Sequence, residues 1–409
     1  MTEACAHKKV RLKYRAHVEM GQSPPSIEYS SSPDDGLPFL QGTADFGPIH
    51  PVPRTYCESP TKVASKGDIL FSVRAPVGEL NVADQDVGIG RGLCAIRTGT
   101  FLNPRFGWWA LHEARYRLNF ISTGSTYEAV ATEDIANMAI ETTDIEKQGA
   151  IAGYLDRETT RLDALVAAKE SVLDLLSEKR KALIVRAVTR GLDPTAPLRD
   201  SGIPWLGKIP AHWELKRAKW MFSERDERSS HGEETLLSLR MERGLVPHNE
   251  VSEKQTRPEE LIGYKRTSPG EIVVNRMRAA IGLIAVAPQV GLVSPDYAVF
   301  IPVCGISVTY YYYLFTTELL GAVFRSVSTG MGTGSSGFLR LYSESFLALW
   351  LPHPPADEQR AIVDFIIHET AVLNKLHAAT ERTITLLKEH RAALIAAAVT
   401  GQIDVEAAA

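Results

Sequence analysis

The sequence predicts a mixed α/β protein in which two related globular domains alternate with two long helices that carry the stripe of a supercoiled pair. Three observations lead there. The chain has 409 residues, 44% hydrophobic and 23% charged, so it is globular and longer than a single core usually allows. Residues 148–193 recur at 359–404 with a constant offset of 211, no gap, and 21 identities in 46 positions. Short apolar runs, "DILFSV" from Asp68 and "EIVVNRM" from Glu271, precede the two copies at matching places and read as strands. The order that follows is a first domain over 1–144, a helix over 145–192, a linker over 193–203, a second domain over 204–355, a second helix over 356–401 and a tail over 402–409.

In the first domain "KGDILFSVRAPVGELNVA" (66–83) matches "PGEIVVNRMRAAIGLIAVA" (269–287) of the second, placing Gly67 on Gly270 and, after one inserted residue, Arg74 on Arg278 and Gly78 on Gly282. Farther back, "VRLKYR" (10–15) falls on "WELKRA" (213–218) with the offset of 203 that relates the two leading glycines. The segments ahead of the helices agree in "STG", at Ser122 and Ser328, and then diverge: one continues "STYEAVATEDI", the other "MGTGSSGFLR". The glycines of "MGTGSSGFLR" suggest a phosphate-cradling loop. That segment lacks the Gly-Lys-Ser/Thr ending of a P-loop and the strand, helix and acidic residue of a dinucleotide site, so it is read as an adaptable loop that differs between two copies of one scaffold.

Both repeats read as single helices because they contain no proline and are rich in Ala, Leu, Glu, Lys and Arg. Leu155, Leu162, Leu176 and Leu183 keep a seven-residue phase that Ile366, Leu373, Leu387 and Leu394 reproduce, and Leu165 and Leu376 are expected in the seam between them. A sustained heptad stripe is the pattern of supercoiled helices. From Gln148 to Thr189 the helix would span about 60 Å at 1.5 Å per residue. The join "TRGLDPTAPLRDSGIPWLGKIPAHWEL" (189–215) ends the first helix with glycine and proline.

Composition narrows the function. The net charge is −4, which says little about nucleic-acid binding because affinity follows the local face shown to phosphates. The N-terminus has no apolar segment of a secretory signal and no run is long enough to span a membrane, so a cytoplasmic protein is expected. Cys5, Cys57, Cys94 and Cys304 form no Cys-x-x-Cys pair, which argues against zinc or a disulfide framework. "NPRF" (103–106) lacks the second proline of a base-flipping methyltransferase loop and reads as a turn. No carboxylate–lysine set or nucleophile–base pair marks a nuclease or hydrolase, so no catalytic residue and no metal site is assigned.

"LPHPPADEQRAI" (351–362), "SGIPWLGKIPAHWELKRAK" (201–219) and "LLKEHRAALIAAAVTGQID" (386–404) together resemble the specificity subunits of type I restriction-modification systems, and the duplicated plan extends the resemblance over nearly the whole chain. The first copy departs from the pattern: "IETTDIEKQGAI" (140–151) keeps Gln148 but lacks the double proline. The resemblance implies a non-enzymatic reader of double-stranded DNA with two pseudo-symmetric target-recognition domains, each reading half of a bipartite site, and with the two long helices as an antiparallel coiled-coil spacer. It implies as partners two methyltransferase subunits carrying S-adenosylmethionine and restriction-translocase subunits using ATP and magnesium, with no cofactor on this chain. Base edges in the major groove are distinguished by bidentate Arg, Asn or Gln contacts. Candidate readers beside the repeat motifs are Arg74, Asn81, Arg91, Ser125, Thr126 and Tyr127 in the first domain. In the second they are Arg240, Arg276, Arg278, Ser335 and Arg340. The competing reading is a coiled-coil adaptor that binds proteins only, without the steep salt dependence of a phosphate-neutralising reader.

Overall fold

The computed structural model describes residues 7–25, 29–121, 130–253, 256–331 and 338–405. They form a mixed α/β protein of two compact units, one of residues 1–170 with 382–409 and the other of residues 171–381.

The first unit contains strands β1 (Lys8–Arg11), β2 (Ala16–Met20), β3 (Ile69–Ser72), β4 (Leu80–Val82) and β5 (Leu93–Thr98), helix α1 (Pro104–Ile121) and strand β6 (Ala139–Thr142), followed by the long helix α2 (Ile145–Arg190). Its central sheet is antiparallel in the order β2-β5-β3-β4, and β1 pairs with β6. Strand β3 is apolar on both faces because each faces a core. Ile69 and Phe71 join a cluster with Phe106, Leu111 and Leu155, whereas Leu70 joins a second with Leu40 and Ile89, as period-two alternation of side chains requires. Asn103 begins α1: its side-chain oxygen accepts from the Arg105 and Phe106 amides at 3.0 and 3.2 Å, so "NPRF" is a helix N-cap followed by proline at the first helical position.

The second unit repeats the plan with β7 (Glu214–Arg217), β8 (Phe222–Arg225), β9 (Ile272–Asn275), β10 (Ile284–Val286), β11 (Tyr297–Pro302), α3 (Val308–Phe315), α4 (Glu318–Val327), β12 (Thr329–Met331), β13 (Phe338–Arg340), β14 (Trp350–His353) and the long helix α5 (Ala356–Val399). The sheet order β8-β11-β9-β10 and the pair β7-β14 correspond strand for strand to the first unit. Ile272 and Val274 again enter one core and Val273 another. Among the described residues no helix is long and apolar enough to cross a membrane.

The long helices run antiparallel in each unit. In the first, Leu155 shares a core with Ile395 and Val399, and Asp163 pairs with Arg391 at 2.8 Å while Glu170 pairs with Lys388 at 3.2 Å. In the second, Ala187 and Val188 pack with Ile362 and Ile366. Leu155, Leu162, Ile366 and Leu373 are buried, and Leu176, Leu183, Leu387 and Leu394 are half-buried.

Three sequence expectations are corrected. Leu165 and Leu376 lie outside the seam, with exposures of 42% and 51%. At 100° per residue Leu165 stands about 80° from Leu155, whereas the residue four after Leu155 stands only about 40° away. That place is taken by Thr159, and by Thr370 in the repeat; both are buried and each donates its hydroxyl to the carbonyl four residues back at 2.6 Å. The 193–203 segment is not a free linker, because Leu198–Asp200 pairs with Lys208–Pro210 and Ile203 packs on the second unit's core. Finally, the N-terminal match is displaced by three residues. The Leu12 amide donates to Met138 as the Ala218 amide donates to Leu349, and the short 3-10 turns 12–14 and 218–220 coincide. Matching the Leu-Lys dipeptides put identity ahead of strand register.

Candidate nucleic-acid interface

The turn after β3, and the turn after β9 in the second unit, carry the exposed arginines. In the first unit Ser72 closes the turn: its hydroxyl donates to the Pro76 carbonyl at 2.6 Å and accepts from the Glu79 amide at 2.8 Å. Gly78 adopts φ +89°, a conformation costly for other residues. Arg74 is thereby displayed in solvent. The Val73 amide donates to the Gly92 carbonyl at 2.9 Å, which brings the exposed Arg91 to the same end of the sheet.

The second unit reaches the same outline with different residues. Asn275 stands where Ser72 does; it is buried, and its side-chain oxygen accepts from the Met277 and Arg278 amides at 3.1 and 3.2 Å. Gly282 takes φ +79°, and Arg278 is exposed. Both turns are tied to the segment that follows the divergent loop. The Val130 amide donates to the Val73 carbonyl at 2.8 Å, and the Leu341 amide to the Arg276 carbonyl at 2.9 Å. The pieces that differ most between the copies therefore end beside the displayed arginines.

The remaining candidates divide by geometry. Asn81 is fully buried and donates to the Gly47 carbonyl at 2.8 Å, so its amide holds a loop and cannot reach a base edge. Arg276 is also committed: its guanidinium bonds Glu224 and the Ser343 hydroxyl, and only 14% of the side chain is exposed. Glu224 bonds the buried Lys265 as well, at 3.1 Å. Arg240 is exposed on a separate hairpin of Leu237–Arg240 and Gly244–Pro247. Arg340 donates to Asp296 at 3.2 Å and lies over the Tyr342 ring. Ser125, Thr126, Tyr127 and Ser335 lie outside the described residues.

A charged contact braces the start of each central strand. Arg97 clasps the buried Asp68 through Nε at 3.1 Å and Nη2 at 2.7 Å, and Arg225 holds the buried Glu271 at 3.1 Å in the second unit. The first of these is bidentate, which makes it directional as well as strong; the second is a single contact. The carboxylates occupy matching places in the two repeats, but the arginines come from different strands. A second duplicated device anchors the domains to the long helices. Gln148, fully buried, accepts from the Asn103 amide at 2.8 Å and donates to the Thr143 carbonyl at 2.7 Å and to Phe101 and Thr142 at 3.2 Å. Gln359, also buried, accepts from the Ser307 amide at 3.0 Å and donates to the Pro354 carbonyl at 2.8 Å. Asn103 and Ser307 are the N-cap residues of α1 and α3, so in both units a helix-borne glutamine grips a domain helix at its cap. Their identity in the two repeats was the available signal.

Residues 56–173 match the model of the type I restriction modification DNA specificity domain. A curated Methanocaldococcus jannaschii protein, named as the type I restriction enzyme MjaX specificity subunit, is 34% identical over 168 residues, 41% of this chain and 38% of that protein. The matched segment thus spans well under half of that relative. Among solved structures, a chain from work on complex assembly and conformational transition of the type I R-M system superposes with a TM-score of 0.69 at 18% identity, covering 97% of this chain and 98% of that one. The HsdS subunit from Thermoanaerobacter tengcongensis superposes at 0.58 with 17% identity, covering 98% of this chain and all of the other. At those identities the superpositions speak for the fold.

Proposed function

We propose, for a chain that carries a type I restriction modification DNA specificity domain in an HsdS-like fold, that each unit reads one half of a bipartite double-stranded DNA target. The observation that carries this is the duplicated turn, tied in both units to the segment after the divergent loop, with unlike contents: one scaffold displays Arg74 and Arg91, its copy displays Arg278 with the half-buried Arg340 beside it. Arginines at a sheet end reach base edges or phosphates, the first specifying sequence and the second fixing register. The chain is a non-catalytic reader, and chemistry on the DNA falls to its partners.

The long helices serve as the docking ground for those partners. Leu165 and Leu376, 42% and 51% exposed, occupy equivalent places in the repeats, as do Leu175 and Leu386 at 64% and 55%. Equivalent apolar positions on two helices suit two copies of one partner, the methyltransferase subunits. S-adenosylmethionine belongs to those subunits, and ATP and magnesium to the restriction-translocase subunits. A protein-only adaptor would use the same leucines, and salt separates the readings, since a DNA reader loses affinity steeply between 50 and 200 mM salt.

The deciding experiment exchanges residues 1–144 for the corresponding domain of a relative and maps methylated sites in the host. One half of the target should change while the other half stays. A change in both halves would end the two-reader proposal.

A further inference from the structure

We infer that Asp296 is a positioning residue that presents Arg340 to a guanine in the half-site read by the second unit, an inference that rests on the DNA-reading function proposed above. The three arginines at this end of the sheet are held differently. Arg276 is closed off by Glu224 and Ser343. Arg278 is exposed, with no ion pair among the described residues, so it is free to follow a phosphate. Arg340 is restrained without being closed off. Its Nη1 donates to the Asp296 carboxylate at 3.2 Å, its guanidinium carbon lies 5.8 Å from the Tyr342 ring centroid, and 21% of its side chain remains exposed.

The backbone places this pair at the reading edge. Asp296 immediately precedes Tyr297, which pairs with Asn275 at the end of β9, and Leu341, next to Arg340, donates to the Arg276 carbonyl at 2.9 Å. Asp296 is itself 54% exposed, so the carboxylate sits at the rim with the guanidinium beside it.

The chemistry favours one base. A guanidinium carries five N–H donors in a planar fork. With one Nη1 hydrogen on Asp296, the second Nη1 hydrogen and one of the two on Nη2 remain for a contact with two acceptors. Guanine offers O6 and N7 as adjacent acceptors, whereas adenine sets a donor beside N7. The carboxylate on one edge and the ring beneath limit the rotamers of a long side chain, so less ordering is left for the moment of binding. A bidentate contact of this type gives roughly 5- to 150-fold preference over the wrong base.

The test is selection from a pool of randomised DNA duplexes by the full-length chain with its co-purifying subunits, comparing wild type, Asp296→Asn and Arg340→Lys. Asp296→Asn keeps the shape but loses the charge that holds the fork; Arg340→Lys keeps the charge but loses the fork. Both should relax one guanine in the second half-site by at least about fivefold, leave the first half-site unchanged and melt within a few degrees of wild type. If Asp296→Asn does not fold, Arg340→Lys alone decides. A folded variant that keeps this guanine at wild-type preference, or a wild-type second half-site without a guanine on either strand, overturns the inference. Wild type that selects no sequence at all removes instead the DNA-reading function beneath it.

Discussion

Replacing Gln148 by leucine tests whether the grip at the helix start holds the first unit together. The substitution nearly conserves volume, so the loss is of hydrogen bonds rather than of packing. Gln148 is fully buried and makes four contacts, the two shortest being the Asn103 amide at 2.8 Å and the Thr143 carbonyl at 2.7 Å. Leucine strands both backbone groups away from water, at about 1–3 kcal/mol each, and the longer contacts to Phe101 and Thr142 add less. A total of about 3–5 kcal/mol is expected. For a unit of this size that lowers the melting temperature by roughly 10 °C. Gln359→Leu removes only the Ser307 and Pro354 contacts and should cost about 1 kcal/mol less. Scanning calorimetry of the full chain, with urea denaturation as a second measure, ranks the two variants. A cost below about 1 kcal/mol for Gln148→Leu, or a larger loss for Gln359→Leu, would show that the glutamines are passengers and that helix packing alone fixes the domains.

Arg74→Ala and Arg278→Ala should each weaken selection of a different half-site by about 1–3 kcal/mol if they meet bases, or lower the salt slope by about one if they meet phosphates, with melting unchanged because both are exposed. A melting shift without any binding defect would make them structural. Leu165→Asp combined with Leu376→Asp should abolish co-purification of the methylating subunits while sparing DNA binding by the chain itself; retained co-purification would place the docking ground elsewhere. Burial, followed by the nearby Arg115 and Arg391, holds His112 down to about 4 from 6.5, and Arg115 donates to its Nε2 at 3.2 Å. The unfolded chain then takes up the proton first on acidification, so stability should fall by on the order of 3 kcal/mol as pH drops from about 6.5 to about 4. His112→Gln should flatten that part of the profile, and an unchanged slope would refute the assignment.

Much of the architecture was legible because its cause is local and repeated. An uninterrupted offset of 211 residues and a heptad phase depend only on neighbours along the chain, so the helices, their order and the duplicated domains follow from reading it. The seam at Thr159 and Thr370 was missed for a chemical reason: threonine is polar to a sequence reader, yet here its hydroxyl is satisfied within its own helix. The two arginine-bearing turns were legible as such and no further. Arg276 and Arg278 stand two positions apart, and nothing in their order says that one is closed off and the other displayed. That was decided by Glu224, 52 residues from Arg276 in sequence. Asn81, polar and beside the motif, turned inward to hold Gly47 across 34 residues, and Asp296 acquired its place only when β11 laid it near Arg340, 44 residues away. Periodicity tells which face a side chain takes, because that is a property of one strand or helix. Which charge neutralises which depends on the strands that become neighbours, and only the folded sheet determines that.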